Sequence, residues 1–129
     1  MGMGWLSFIT LAALIEYFVF VLLTGQARVK YGVEAPATTG DPIFERYLRV
    51  QQNTLEQLII FIPALWLYAE YVGRKTAFIL GLLFVIGRGV YAAGYVKEPA
   101  QRRIGVIMTF AANGILVISS LIGLLVHAL

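Results

Sequence analysis

The chain has 129 residues, 60% of them hydrophobic and only 13% charged, with a formal net charge of +3 and a mean hydropathy of +0.82. The charged share is about half that of a soluble domain, and four spans of about 20 residues each leave only short loops and no separate soluble domain. The absence of cysteine excludes a disulfide framework, a thiolate zinc site and a cysteine nucleophile, and His127, the only histidine, excludes a multi-histidine metal site within one chain.

The first apolar run opens without a basic segment or a cleavage pattern, so it reads as a retained span and not a signal peptide. It predicts a helix over 5–27 with one acid, Glu16, midway along it. A proton-coupled transporter places a carboxyl at such a depth. The alternative, a buried acid bonded to a neighbouring helix, is favoured because no second acid lies nearby. Residues 31–42 carry Pro36, Gly40 and Pro42 and form the one real loop. A second helix is expected over 43–72, polar in its first half, apolar in its second, and kinked at Pro63. Gly73, Arg74 and Lys75 make a turn. The third helix spans 76–96, Pro99 marks the next break, and the fourth helix runs over 102–128. The expected fold is all-α: a single domain, 1–129, forming an integral membrane bundle of four transmembrane helices. Gly81, Gly87, Gly94, Gly105, Gly114 and Gly123 are expected to let those helices pack closely.

Basic residues flank these spans, so the positive charge reports topology and no nucleic-acid partner is expected. Arg28, Lys30, Arg46, Arg49, Arg88, Lys97, Arg102 and Arg103 fall on one side, and Arg74 and Lys75 on the other. Eight against two places the long loop in the cytoplasm and both termini away from it. Trp5, Tyr68 and Tyr71 are then expected at the outer interface.

Polar residues gather toward the cytoplasmic end. In FERYLRVQQNTLEQ, residues 44–57, Arg46, Arg49, Asn53 and Glu56 share one narrow helical stripe. Helix 3 carries Arg88, Tyr91 and Tyr95 at spacings of three and four. Arg28 ends helix 1, and Arg102 or Arg103 begins helix 4. Arginines suit carboxylates, Glu56 suits an ammonium group, and Asn53 and Gln51 suit peptide amides. A small anionic peptide fits this inventory, and glutathione has those groups plus a thiol. A free thiol ionises near pH 8.5, so a fixed cation beside it raises the thiolate population. The plainer reading makes these residues ion pairs and topology anchors in the headgroup zone. It does not account for Asn53, Gln51 and two tyrosines on matching faces.

The motifs GQARVKYGVEAPATTG, FERYLRVQQNTLEQ and RGVYAAGY, in this order and spacing, resemble the MAPEG family of membrane-associated proteins in eicosanoid and glutathione metabolism. The resemblance is closest to its branch of type-two microsomal glutathione transferase and leukotriene C4 synthase. It implies a homotrimer with glutathione sites between subunits, and a glutathione transferase that also reduces lipid hydroperoxides. Arg49, Asn53 and Glu56 match the family's helix 2 contacts, and Tyr91 and Tyr95 its helix 3 tyrosines. Gln51 and Arg28 match contacts from a neighbouring subunit. The thiolate-stabilising arginine falls on Arg102 by ungapped counting from Tyr95, and on Arg103 after a one-residue slip. Glutathione enters as substrate, an apolar electrophile or lipid hydroperoxide arrives from the membrane lipid, and no metal is implied. Val29 replaces a second arginine of the leukotriene synthase, which speaks against leukotriene synthesis. Gln57 replaces a family tyrosine. The lack of a basic tail suggests a bacterial inner membrane and not the endoplasmic reticulum. Two other readings remain: a non-catalytic lipid-ligand-binding relative, and a small four-helix proton-coupled drug exporter.

Overall fold

The computed structural model describes residues 2–128. Among these, four long helices run in chain order: α1 (Met3–Tyr31), α2 (Pro42–Tyr71), α3 (Arg74–Lys97) and α4 (Arg103–Ala128). A short 3-10 turn, Pro99–Arg102, joins α3 to α4. No strand occurs among the described residues.

The helix ends follow from local chemistry. α1 continues beyond Gly25 through the basic residues and stops at Gly32, whose left-handed conformation ends the helix. The amides of Gly32 and Val33 both close on the Arg28 carbonyl. Asp41 caps α2: its carboxylate accepts from the amides of Ile43 and Phe44 at 2.9 Å, with Pro42 in the first turn where no amide proton is needed. α2 runs unbroken through Pro63. At the far end of α3, Arg46 of α2 donates to the carbonyls of Val96 and Lys97, at 3.1 and 3.3 Å. Those carbonyls have no partner within their own helix, so Arg46 serves the fold and leaves the stripe it shares in sequence.

α2 and α3 each pack against all three other helices, with α1 and α4 on their flanks. The core contains Leu6, Ile9 and Ala13 of α1 and Leu65 of α2, centred on Phe61 and Phe84, whose rings stack at 3.9 Å. Tyr68 also turns into this core. The outward faces are apolar: Phe8, Ile15 and Phe18 on α1 and Ile107, Phe110 and Ile118 on α4 are all exposed. Exposed side chains of this kind are stable only in hydrocarbon or against another protein.

α1, α3 and the Pro99–His127 segment are each long and apolar enough to cross a bilayer. α2 falls short because Glu56 and Glu70 bound an uncharged stretch of only residues 57–69, about 20 Å of helix against a core of about 30 Å.

α3 and the start of α4 approach closely. A Cβ on Gly105 would overlap the backbone of Tyr91, and one on Gly94 would lie 2.5 Å from the Gln101 carbonyl oxygen. These two glycines bring the start of α4 directly onto the tyrosine turn of α3. A Cβ on Gly114, by contrast, would have nothing within 4 Å, so the close-packing role expected of it does not hold within the chain. Gly105→Ala should therefore cost about 1–3 kcal/mol, read as a lower melting temperature in detergent. Gly114→Ala should cost nothing; equal losses at both sites would remove the close-approach explanation.

Candidate functional site: a cationic cleft between three helices

Arg88 organises the site. It is only 1% exposed and lies where α2, α3 and α4 meet. Its Nε and Nη2 donate to the Thr54 hydroxyl at 3.2 and 2.9 Å. Nη2 also donates to Asn53 Oδ1 at 2.8 Å, and Nη1 to the Thr109 hydroxyl at 3.3 Å. Thr109 gives its own proton to the Gly105 carbonyl at 2.9 Å, which leaves its oxygen free to accept. A guanidinium can only donate. Its bond to Asn53 therefore orients that amide, with the oxygen toward Arg88 and the NH2 left for another partner.

From Arg88 a stack of charged and aromatic groups leads to the 3-10 turn. The guanidinium lies 4.3 Å from the Tyr91 ring centroid. Tyr91 stacks on Tyr95, one helical turn on, at 5.6 Å and 15°. The Arg102 guanidinium lies over Tyr95 at 5.7 Å. Cation–π contacts of this kind favour a fixed position for an otherwise mobile arginine.

These residues line one cleft of about 360 Å³, together with Arg49, Val106 and Phe110. Of the expected site residues, Arg49, Asn53, Tyr91, Tyr95 and Arg102 are brought together there. A neighbouring groove beside Pro99 and Ile107 is lined by both Arg102 and Arg103; only Arg102 also lines the cleft, which favours it of the two candidates.

Three expected residues lie outside the cleft in the single chain. Arg28 donates to the Ala37 carbonyl at 2.8 Å and packs its guanidinium 4.7 Å from the Phe44 ring, tying the loop to α1. Gln51 is half-buried and Glu56 is exposed. Gln57, at the position of a family tyrosine, accepts through its backbone and side-chain oxygens from Asn113 Nδ2, at 3.3 and 3.0 Å. It links α2 to α4 and does not line the cleft.

Sequence reasoning placed Arg88 on a polar stripe and counted it among the topology anchors. Its burial removes it from that count. The hydroxyls of Thr54 and Thr109 were not anticipated. The signal available was an arginine between Gly87 and Gly89 in an otherwise apolar helix, a residue that hydrocarbon does not tolerate unpaired. Among the described residues, no group of three or more histidine, aspartate or glutamate side chains gathers to hold a metal.

Several arginines, a freed amide NH2 and two stacked tyrosines converge on one concave surface. Such a surface suits a small ligand with more than one anionic group. The chain matches the MAPEG family over residues 6–122. It is 46% identical over 121 residues to an uncharacterized protein of Synechocystis, covering 94% of this chain and 88% of the relative. It is 38% identical over 120 residues to human microsomal glutathione S-transferase 2, covering 93% of this chain and 80% of that one. With bovine leukotriene C4 synthase it shares 32% identity over 124 residues, covering 96% and 83%. Both the span of the match and the extent of the identity lead to one conclusion: this all-helical integral membrane protein belongs to the MAPEG family.

Proposed function

We propose that the cleft binds glutathione and that the protein is a membrane-bound glutathione transferase acting on apolar electrophiles. The observation that carries this reading is the convergence of Arg49, Asn53, Arg88, Tyr91, Tyr95 and Arg102 on one cleft. Arg49 and the Asn53 amide hold the peptide's carboxylate and amide groups. Arg102 stabilises the thiolate; the thiol proton leaves to water. The sulfur then attacks an electrophilic carbon, a carbon–sulfur bond forms, and the leaving group departs with its electron pair. With a lipid hydroperoxide the same thiolate attacks the terminal oxygen, the O–O bond breaks, and the alkoxide takes a proton from water to leave as the lipid alcohol. A second glutathione then converts the sulfenic product to disulfide and water.

The same reading has α2 as the fourth span and the chain as a homotrimer. Gln52 and Glu56 are exposed on α2 beside Leu55 and Ile59. Polar and charged groups at membrane depth turn toward protein and not toward lipid, so a second copy covering this face satisfies both. Arg28, Gln51 and Glu56 then reach glutathione across the subunit boundary, with both termini away from the cytoplasm.

The deciding experiment adds glutathione to the detergent-solubilised protein and follows thiolate absorbance near neutral pH, then conjugation of chlorodinitrobenzene. Thiolate formation and turnover are expected. Glutathione binding without turnover of this electrophile or any hydroperoxide supports a non-catalytic ligand-binding relative. An absence of glutathione binding overturns the assignment.

A further inference from the structure

Arg88 is a buried permanent cation whose four hydrogen bonds all go to neutral oxygens, those of Asn53, Thr54 and Thr109. None of them supplies a counter-charge. A buried charge surrounded only by dipoles is costly, and more so at membrane depth. α1 carries one acid, Glu16. It packs against α3 at the residue after Arg88: a Cβ on Gly89 would lie 3.5 Å from Glu16 Oε2. Its Oε1 is buried and has no hydrogen-bond partner, so Glu16 is not held there to satisfy a hydrogen-bonding network. The cleft is lined from α2, α3, the 3-10 turn and α4, and α1 contributes nothing to it. Glu16 therefore stands behind Arg88, with the cleft in front.

We propose that Glu16 is a positioning residue, the buried counter-charge of Arg88, which sets how much of that guanidinium's positive charge reaches an anion in the cleft. The inference rests on the glutathione reading and adds to it a residue that does not touch the ligand. With Glu16 ionised, the pair is close to neutral and attraction falls to Arg49 and Arg102. With Glu16 protonated, the full charge of Arg88 faces the ligand. On α3, Arg88 is the charged group beside the Gly89 contact, while Arg74, Lys75 and Lys97 lie at the helix ends; on α2, Arg46 is held by the end of α3 and Arg49 lines the cleft. Because proton and anion binding are linked, the effect of each on the other is reciprocal. Glutathione affinity should therefore fall as pH rises through the titration of Glu16.

The test compares kcat and KM for glutathione in the wild type, Glu16→Gln and Glu16→Asp from about pH 4 to about pH 9, a range that spans ordinary carboxyl and thiol titration. Glu16→Gln should lower KM about threefold to tenfold at the alkaline end, converge with the wild type at the acid end, and leave kcat unchanged. Glu16→Asp should keep the wild-type profile. Superimposable KM curves overturn the proposal, and so does a loss of kcat at unchanged KM. A second measurement needs no glutathione: melting temperatures of Glu16→Gln, Arg88→Gln and the double variant. The Arg88→Gln loss should be smaller in the Glu16→Gln background; equal losses overturn the counter-charge. If the wild type binds no glutathione, the transferase reading fails while this cycle still decides Glu16.

Discussion

Arg102→Ala is expected to lower the rate of glutathione conjugation at neutral pH about 100-fold, while Arg103→Ala leaves it within about twofold of the wild type. A thiol titrating near pH 8.5 is only a few per cent ionised at neutral pH. A guanidinium beside the sulfur favours the anion, both in the ground state and as the nucleophile forms. Arg102 lines the cleft and is held over Tyr95, whereas Arg103, one residue on, lines only the neighbouring groove that the two share. The pair is thus an internal control: two cations of equal charge, adjacent in sequence, differing in where they point. The measurements are thiolate difference absorbance on mixing with glutathione and initial rates with chlorodinitrobenzene. If Arg103→Ala loses the thiolate signal and Arg102→Ala keeps it, the stabilising role moves by one residue.

Arg88→Met should have the second large effect, on stability and binding together. Methionine fills much of the same volume but donates nothing. It leaves Asn53 Oδ1 and the hydroxyl oxygens of Thr54 and Thr109 without the donor they now have. Each buried acceptor left unpaired costs about 1–3 kcal/mol, so a loss of at least about 3 kcal/mol is expected, read as a lower melting temperature in detergent. Glutathione binding should weaken at least tenfold, because the Asn53 amide is no longer oriented and Tyr91 loses the cation above it. A variant that melts like the wild type, with unchanged glutathione affinity, would show that Arg88 is neither the hub of the bundle nor part of the cleft.

Much of this site was legible from spacing. Tyr91 and Tyr95, four apart on a helix, had to share a face, and the structure stacks them. Arg49 and Asn53, also four apart, both reach the cleft. The same rule failed for Arg46 and Glu56. Helical periodicity says which side of α2 a residue occupies but not what stands opposite it along the helix. Arg46, nearest the loop, meets the carbonyl end of α3, and Glu56, farther along, is exposed and does not line its own chain's cleft. Gln57 shows the same limit: its partner Asn113 is 56 residues away.

Glu16 illustrates a different gap. Sequence marks it as a lone acid in an apolar helix and predicts a bond to a neighbouring helix. The structure packs it against Gly89, beside Arg88, while leaving Oε1 without a donor. The pairing proposed for it joins residues far apart in the chain and has no sequence signature.

By itself the sequence determined the class of the protein: long apolar helices, their number and approximate bounds, and the polar end of the bundle. These are local properties. Hydrophobic content, helix periodicity and breakers act within a few residues of one another, and no neighbouring helix is needed to read them. Only the tertiary structure decided which of ten basic residues do which work. Arg46 caps a helix, Arg28 ties a loop, Arg88 is buried at the crossing of three helices, and Arg102 faces the cleft while Arg103 does not. A guanidinium's role depends on what lies within about 3 Å of it, and that distance is set by helix crossings between residues far apart in the chain.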